Sequence, residues 1–359
     1  MIQLDAWTAH KPDAPFVRRT STPAPLNSKM ETLSTGREID KLIDLLVENA
    51  LVVVPGPKIA RQCGVTRSGV WMWIKKLREH GVEIDSRRGE GYQLRKLPDL
   101  LTPGLVRRAL GECEIGKRIT HYFTVSSTNS VALGLAAGNA PHGAVVTAEE
   151  QTAGRGRMGR KWYSEKSSGI YASVILRPPL APAAAAILTL MAGVALSRAV
   201  EEETHLAADI RWPNDLMLGG KKAGGILTEM TSDLDRIQSV VVGIGLNVNH
   251  TAMPTELRAS ASSLRLEGGK IHSRVQILAR LLRQLDRNYR MLLGQGSASV
   301  INAWEQKSSY ARGKRVLVRT ASGERAGMTD GLEPNGALRM RFDDGRTESL
   351  LSGEVIEIK

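Results

Sequence analysis

The sequence predicts an α+β multidomain protein: a helical N-terminal unit, a central mixed-sheet α/β unit and a small C-terminal β-barrel. Its length of 359 residues exceeds what a single hydrophobic core usually serves. Apolar residues follow helical spacing near the N-terminus, whereas β-branched runs separated by glycine-rich loops fill the centre. Near the C-terminus, short alternating runs are separated by Asn-Gly and Asp-Gly turns, which are typical of β-hairpins.

The composition indicates a soluble, cytoplasmic protein with an anionic partner. The formal net charge is +12, which favours an anion without specifying one. Cys63 and Cys113 belong to no C-x-x-C pair or Cys/His cluster, so neither a disulfide scaffold nor a zinc site is predicted. The longest apolar run, residues 181–200, is alanine-rich and broken by Pro182 and Arg198. We therefore predict a buried amphipathic helix and no membrane association.

Residues 1–35 are predicted to form a disordered tail, because prolines stand there among Ser, Thr and Asn with few apolar residues. Arg18-Arg19 is followed by a polar, proline-containing segment, which argues against a twin-arginine export signal. Both Met1 and Met30 remain candidates for the true start.

Residues 36–97 are predicted to form a winged helix-turn-helix. Thr35–Glu38 has the sequence of a capping box, after which apolar side chains share one helical face. A short helix from Pro57 and a longer one over residues 66–80 follow, and residues 82–94 alternate around a basic glycine turn, as a hairpin wing does. The apolar face of the first helix consists of Ile39, Leu42, Ile43, Leu46 and Val47.

The longer helix and the hairpin are predicted to bind DNA. Between Lys58 and Lys96 there are ten lysines and arginines against four acidic residues, which suits a surface that meets DNA phosphates. Trp71 and Trp73 are unusual on a base-reading face, so at least one is expected to pack in the core. A winged helix that serves only for docking remains the alternative. The predicted DNA contacts are Thr66, Arg67, Ser68, Lys75, Arg87 and Arg88.

The stretch Gln151–Trp162 is predicted to bind phosphate groups. Its glycines match the dinucleotide fingerprint G-x-G-x-x-G, but a polar loop and then a strand follow where that fingerprint requires a helix. The stretch is therefore a loop between strands. Its arginines, Arg155, Arg157 and Arg160, can bind phosphate oxygens bidentately and stay charged at any working pH. A solvated basic loop, or one that grips nucleic-acid backbone, is the alternative.

Four further segments of the central unit, residues 98–310, carry chemistry suited to a small polar ligand. Ser127–Asn129 follows a strand, although helix capping is favoured there over ligand binding. Arg211–Asp215 is a proline-stiffened turn whose carboxylate can hold magnesium beside phosphates. Lys221–Glu229 begins with two lysines, and the glycines of Gly243–Asn249 let a ligand approach the backbone closely.

In this order, the loop and these segments resemble the bifunctional biotin protein ligases that also act as biotin operon repressors. The resemblance runs from about residue 37 to the C-terminus, and its most specific carriers are Gly154–Trp162 and Arg211–Asp215. It implies a biotin/lipoate-ligase-like central domain and an SH3-like domain over residues 311–359. From the residues alone, this last piece could equally be an inert cap.

The resemblance also implies a two-step reaction. The biotin carboxylate attacks the α-phosphate of ATP, giving biotinyl-5′-adenylate and pyrophosphate. A lysine of the biotin carboxyl carrier protein of acetyl-CoA carboxylase then takes the biotinyl group. The further partners that it implies are operator DNA and a second copy of the chain in a ligand-dependent homodimer, and the implied cofactors are ATP and Mg²⁺.

The resemblance assigns site residues by motif position. Those implied for biotin are Ser127, Thr128, Asn129, Gln151, Arg155, Gly156, Arg157 and Lys222. Those implied for ATP and the adenylate are Arg157, Arg160, Trp162, Asn214, Asp215, Lys222 and Asn247. Those implied for catalysis are Arg157, Lys222, Asp215 and Asn214, with Asp215 also holding Mg²⁺.

The sequence departs from the family pattern in two places, the basic loop and the recognition helix. Met158 stands where many members carry a basic residue, so weaker retention of the adenylate is expected. Met72 and Trp73 stand where members tend to be polar, which weakens the expectation of operator reading more than that of catalysis. A DNA-binding sensor that binds biotin without catalysis is the competing hypothesis, and the phosphate-binding residues favour the ligase.

Overall fold

The computed structural model describes residues 31–320 and 323–357, with side chains over 39–320 and 323–356. Most of the predicted tail, and the choice between Met1 and Met30, therefore lie outside the described residues. The first described residue, Glu31, is already helical, so Thr35 lies inside a helix and the predicted capping box there is wrong. Once the packed face beyond Ile39 has nucleated the helix, each added residue gains a hydrogen bond, which extends it past Thr35.

The N-terminal unit has the predicted winged helix-turn-helix architecture. Its third helix buries Val70, Trp73, Ile74 and Leu77 and begins after Thr66, whose hydroxyl accepts a hydrogen bond from the Gly69 amide at 3.1 Å. The antiparallel wing follows directly. The elements are α1 (Glu31–Glu48), α2 (Gly56–Cys63), α3 (Arg67–Glu79), β1 (Ile84–Arg87) and β2 (Gly91–Leu94).

The central unit is a seven-stranded mixed sheet with helices packed on it. Its strands are β3 (Ile119–Tyr122), β4 (Val145–Ala148), β5 (Gly169–Leu176), β6 (Asp209–Arg211), β7 (Asp215–Leu218), β8 (Lys221–Ser232) and β9 (Ile237–Asn247). Their order is β3-β4-β5-β9-β8-β7-β6, and the pair β3/β4 is parallel, whereas the other neighbours are antiparallel. The helices are α4 (Pro103–Leu110), α5 (Thr128–Ala137), α6 (Ala185–Thr204), α7 (Leu264–Gly268), α8 (Arg274–Gln295) and α9 (Ser297–Lys307).

The long apolar run forms the core helix α6. The segment Pro182–Thr204 is long and apolar enough to cross a membrane, but 67% of its most apolar stretch lies buried within the protein. The helix packs against α8, α9 and β8, so apolar side chains are buried around most of its circumference. The predicted burial is therefore present, and the predicted amphipathic character is wrong because neighbours cover the helix on several sides.

The C-terminal unit is a five-stranded antiparallel sheet in the order β13-β12-β11-β10-β14. The side chains of β12 alternate between buried and more exposed positions, as the sequence predicts, and Asn335-Gly336 and Asp344-Gly345 form the expected turns. The predicted fold class is confirmed, whereas the domain boundaries at residues 97 and 310 stay predictions. The strands are β10 (Arg312–Thr320), β11 (Gly323–Leu332), β12 (Leu338–Phe342), β13 (Thr347–Leu350) and β14 (Glu354–Glu357).

A buried ionic cluster, which we call the Glu149 network, joins the N-terminal and central units. The fully buried Glu149 carboxylate lies 2.7 Å from Arg274 Nη1 and 3.2 Å from His121 Nε2. His121 Nδ1 lies 3.4 Å from Asp40 Oδ1 on α1, and Arg274 Nε lies 3.1 Å from Asp99 Oδ2 in the connecting segment. Each charged group therefore faces at least one of opposite sign, as burial of ionised groups requires.

The Glu149 network predicts a loss of stability at alkaline pH. Burial alone would lower the pKa of His121, but the carboxylates of Asp40 and Glu149 raise it to about 9, against 6.5 for a free imidazole. Protonated His121 therefore stabilises the fold fully below pH 6.5, and this contribution disappears as the pH rises through 9. We expect urea denaturation to show a decrease in unfolding free energy on the order of 3 kcal/mol over this interval.

The expected decrease is tested with one variant and one control. His121→Gln should flatten the pH dependence, whereas His205→Gln, at an exposed position, should keep it. The same slope in wild type and His121→Gln would contradict the assignment.

Candidate active site

A cavity of about 280 Å³ lies between the seven-stranded sheet, the loop Gln151–Trp162 and the C-terminal sheet. Every residue that the sequence assigned to biotin, nucleotide or catalysis lines this cavity, although their individual roles stay predictions. These residues are Ser127, Thr128, Asn129, Gln151, Arg155, Gly156, Arg157, Arg160, Trp162, Asn214, Asp215, Lys222 and Asn247.

One wall of the cavity is a network of uncharged polar side chains at the start of α5. The Gln151 carboxamide oxygen accepts hydrogen bonds from the Thr128 amide at 2.9 Å and from its hydroxyl at 3.1 Å. Ser173 donates to Asn129 Oδ1 at 2.6 Å. Ser127 occupies the N-cap position, but its hydroxyl accepts no bond from the helix. Side-chain capping, which the sequence favoured for this tripeptide, is therefore wrong, and Gln151 accepts from the amide of the first helical residue, Thr128.

The basic loop runs between β4 and β5, which are antiparallel neighbours in the sheet. No helix starts on its last glycine. Instead, Arg157–Gly159 forms one short 3₁₀ turn, in which Met158 adopts φ 56°. This connection confirms that the glycine pattern is not a dinucleotide fingerprint.

The three arginines of the loop reach four partners. Arg157 Nη1 lies 3.2 Å from Asn214 Oδ1 and 3.4 Å from the Gly353 carbonyl oxygen. Arg160 Nη1 donates to Glu354 Oε1 at 2.6 Å, which ties the loop to β14. Arg155 Nη2 donates to Glu229 Oε2 at 2.8 Å. The C-terminal unit therefore closes one side of the cavity.

Glu229 is a functional candidate that sequence reasoning missed. Its carboxylate accepts from both Arg155 and Asn129 Nδ2, the latter at 2.9 Å. Gly225, Ile226 and Leu227 line the cavity, and Glu229, outside that lining, lies two residues after Leu227 on the same face of β8. That period was the signal that could have identified it. Glu354 had no such signal, because only the tertiary fold brings β14 to the loop.

A cluster of charged groups occupies the end of the cavity formed by β7 and β8. Asp215 Oδ1 lies 2.5 Å from Lys222 Nζ, and Asp215 Oδ2 lies 2.9 Å from Arg211 Nη2. Although burial alone would raise it, these two cations hold the pKa of the Asp215 carboxyl below its usual range. The carboxylate is therefore ionised at neutral pH and fixes the Lys222 ammonium inside the cavity.

The predicted magnesium ligand does not form a protein-held metal site in this arrangement. Among the described residues, no group of three or more His, Cys, Asp or Glu side chains could hold a metal ion. Both oxygens of Asp215 already face cations. Asp215 therefore anchors Lys222, and its role as a ligand of magnesium beside nucleotide phosphates stays a prediction.

The indole of Trp162 lies across two glycines of the sheet. A Cβ atom at Gly245 would lie 2.4 Å from Trp162 Cε2, and one at Gly225 would lie 3.0 Å from Cζ3. Lys222 Nζ lies 5.7 Å from the centre of the ring. Glycine is needed at residue 245 because any side chain would displace the indole.

Asn247, two residues further along β9, is buried and donates to the Ser262 carbonyl oxygen at 2.9 Å.

The predicted DNA contacts lie on α3 and on the wing. Arg67, Ser68 and Lys75 are exposed, and Arg87 and Arg88 are exposed at the hairpin turn. Thr66 is already engaged as the N-cap of α3. These positions are exposed on the N-terminal unit, and their contacts with DNA stay predictions.

Together, the fold and the site define a helix-turn-helix unit joined to a mixed-sheet domain whose cavity is lined by cations. Sequence profiles agree: that of the Biotin/lipoate A/B protein ligase family matches residues 121–247, and that of an HTH domain matches residues 39–93. The bifunctional ligase/repressor BirA of Bacillus subtilis (strain 168) is 37% identical, over 85% of this chain and 94% of the relative. That of Escherichia coli (strain K12) is 29% identical, over 88% and 95%.

A solved structure of a biotin protein ligase agrees with these sequence comparisons. The biotin protein ligase from Aquifex aeolicus in complex with biotin and ATP has a TM-score of 0.58 and 31% identity, covering 67% of this chain and 97% of that one. The chain belongs to the biotin protein ligase family, among its bifunctional ligase/repressors. The resemblance and the enzyme class predicted from the sequence are confirmed.

Proposed function

We propose that this cytoplasmic chain activates biotin with MgATP and transfers the biotinyl group to a lysine of a biotin carboxyl carrier protein. The observation that carries the proposal is the convergence of Lys222, Arg155, Arg157 and Arg160 on one cavity that also has an uncharged polar wall. A carboxylate and a triphosphate repel each other, so their reaction needs fixed cations. The polar wall suits the uncharged ring system of biotin.

The first step follows from the position of Lys222. With its ammonium fixed by Asp215, Lys222 would lie between the biotin carboxylate and the α-phosphate. A carboxylate oxygen forms a bond to the α-phosphorus as the bond to the bridging oxygen of pyrophosphate breaks. Arg157 and Arg160 would neutralise the charge that develops on the phosphates. Magnesium would enter with the nucleotide, and Asn214 would orient Arg157 through their hydrogen bond.

In the second step, the carrier lysine would attack the acyl carbon of the adenylate. The new amide bond forms as the bond to the phosphate oxygen breaks, AMP leaves with the bonding electron pair, and the amine releases a proton. The mixed anhydride is prone to hydrolysis, so the loop Gln151–Trp162 would exclude water until the carrier arrives. Trp162 and the C-terminal sheet would close the two sides of this enclosure.

The ligase function is tested by an avidin blot. A biotin carboxyl carrier domain incubated with this chain, biotin and MgATP is expected to become labelled. Absence of label on a folded carrier domain would overturn the ligase and favour a sensor that binds biotin without catalysis. Omission of ATP is the matched control.

The loop is expected to become protected when ligands bind. Its arginines and Lys161 are trypsin sites, and contact with the adenylate would stabilise the closed loop. Biotin with MgATP should therefore lower the tryptic cleavage rate within residues 155–161 by at least several-fold. Cleavage elsewhere in the chain serves as the control, and equal cleavage of the loop with and without ligands would contradict the expectation.

Met158 provides a separate test of charge in the loop. Its side chain lines the cavity and is 48% exposed, so Met158→Arg adds a cation without disturbing a core. A partly exposed ion pair contributes up to ~1 kcal/mol, so the variant should release the adenylate up to about fivefold more slowly. Dissociation of labelled biotinyl-adenylate measures this, with Met158→Gln as the uncharged control. Equal rates for Arg and Gln would rule out a charge effect.

Repression requires DNA contact, and we propose that the adenylate promotes a homodimer that matches a palindromic operator. The exposed basic surface of α3 and the wing supports DNA binding. Gel shifts with and without biotin and MgATP test it. If adenylate forms and no DNA is retained, the winged helix is a docking or vestigial module.

A further inference from the structure

The exposed side of α3 carries two large apolar side chains, although a DNA-reading helix usually carries polar ones there. Met72 and Trp71 are each 58% exposed. Met72 lies nearly opposite the buried residues Val70, Ile74 and Leu77 on the same helix, and Trp71 lies beside it. Burial in the N-terminal core therefore does not explain these two side chains.

The surroundings of this apolar pair indicate which partner covers it. Arg67, Ser68 and Lys75 are exposed on the same helix, and Lys75 Nζ lies 5.9 Å from the centre of the Trp71 ring. An apolar protein surface placed here would bury the lysine charge without compensation. A polyanion satisfies the cations, so the partner combines backbone phosphates with small apolar groups.

Duplex DNA has that combination in the major groove. The thymine 5-methyl is the apolar group that the bases present there, and apolar side chains contact it. Both Met72 and Trp71 lie in the first two turns of α3, the part of a recognition helix that contacts base edges. We propose that Met72 and Trp71 read thymine methyl groups, and that specificity at those base pairs rests on apolar contact. This inference rests on the proposed DNA binding.

The test removes the methyl group and nothing else. A random duplex library is selected on the full chain in biotin and MgATP, and each dT of a selected duplex is then replaced singly by dU, which keeps every hydrogen-bonding group. We expect some replacements to weaken wild-type binding about fourfold each, the effect of removing one buried methyl. Met72→Ala or Trp71→Ala should weaken binding to the dT duplex and lose the dU effect at the base pair which that side chain reads.

Two controls separate this result from general damage. Leu293→Ala removes an exposed apolar side chain from a helix of the central unit and should keep wild-type sensitivity to dU. Carrier labelling should be unchanged in Met72→Ala and Trp71→Ala, because neither residue lines the cavity.

The outcomes distinguish this inference from DNA binding itself. Retention of DNA by the wild type with no dU effect, or with the same dU effect in both variants, overturns methyl reading and leaves repression intact. If the wild type forms adenylate but retains no duplex, both methyl reading and DNA binding are overturned. Loss of carrier labelling in the variants with unchanged DNA retention would assign the surface to a protein partner and also overturn the inference.

Discussion

Replacing Lys222 with methionine is expected to lower the rate of biotinyl-adenylate formation by about 10²–10³-fold, the usual effect of removing one fixed donor to developing charge. Lys222 Nζ lies within the cavity, 2.5 Å from the buried Asp215 carboxylate. Methionine keeps the unbranched side chain up to its last carbon and removes the charged amine. The rate is measured as biotin-dependent exchange of pyrophosphate into ATP.

The neighbouring residue provides a matched control. Lys221 precedes Lys222 on β8, but it does not line the cavity. Lys221→Met should therefore exchange pyrophosphate at close to the wild-type rate. Lys222 would not be the cation that joins the carboxylate to the α-phosphate if Lys222→Met lowered the exchange rate by less than tenfold. The same conclusion would follow if both variants lowered the exchange rate equally.

The sequence predicted the site well where its residues follow one another closely. The loop arginines and Arg211–Asp215 lie in short segments whose turns and strands are determined by neighbouring residues in the sequence. All of these residues line the cavity. Their spacing could not reveal Glu354, since its contact with Arg160 joins residues 194 positions apart. Local preference also failed at Ser127, which does not cap α5, and the side chain that bonds the first amide of this helix, Gln151, lies 23 positions beyond Thr128.

The fold was predictable to a similar degree. Alternation of apolar and polar residues, together with turns that contain glycine, identified the C-terminal strands. Apolar residues spaced along one helical face identified α3. The start of α1 was not predictable from its capping sequence. A helix that packing has already nucleated extends towards its N-terminus past a capping sequence. The all-round burial of α6 depended on α8 and α9, which come much later in the chain.

Replacing Glu149 with glutamine is expected to lower the free energy of unfolding by about 3–5 kcal/mol, the cost of breaking a buried ion pair by removing one partner. Although burial alone would raise it, Arg274 and His121 lower the pKa of Glu149 to about 2, so the residue is ionised in the fold at neutral pH. The variant leaves the buried Arg274 guanidinium with only Asp99 as an ionic partner. Urea denaturation at pH 7 measures the loss.

Glu150→Gln is the matched control, because Glu150 is partly exposed and accepts only a surface hydrogen bond from Thr124. Its stability should stay near that of the wild type. A second readout follows from chain connectivity: Gln151, two residues after Glu149, holds Thr128 in the polar wall. Glu149→Gln should therefore also raise the KM for biotin. A stability loss below about 1 kcal/mol would place the Glu149–Arg274 pair within the range of surface salt bridges. The Glu149 network would then not hold the N-terminal and central units together.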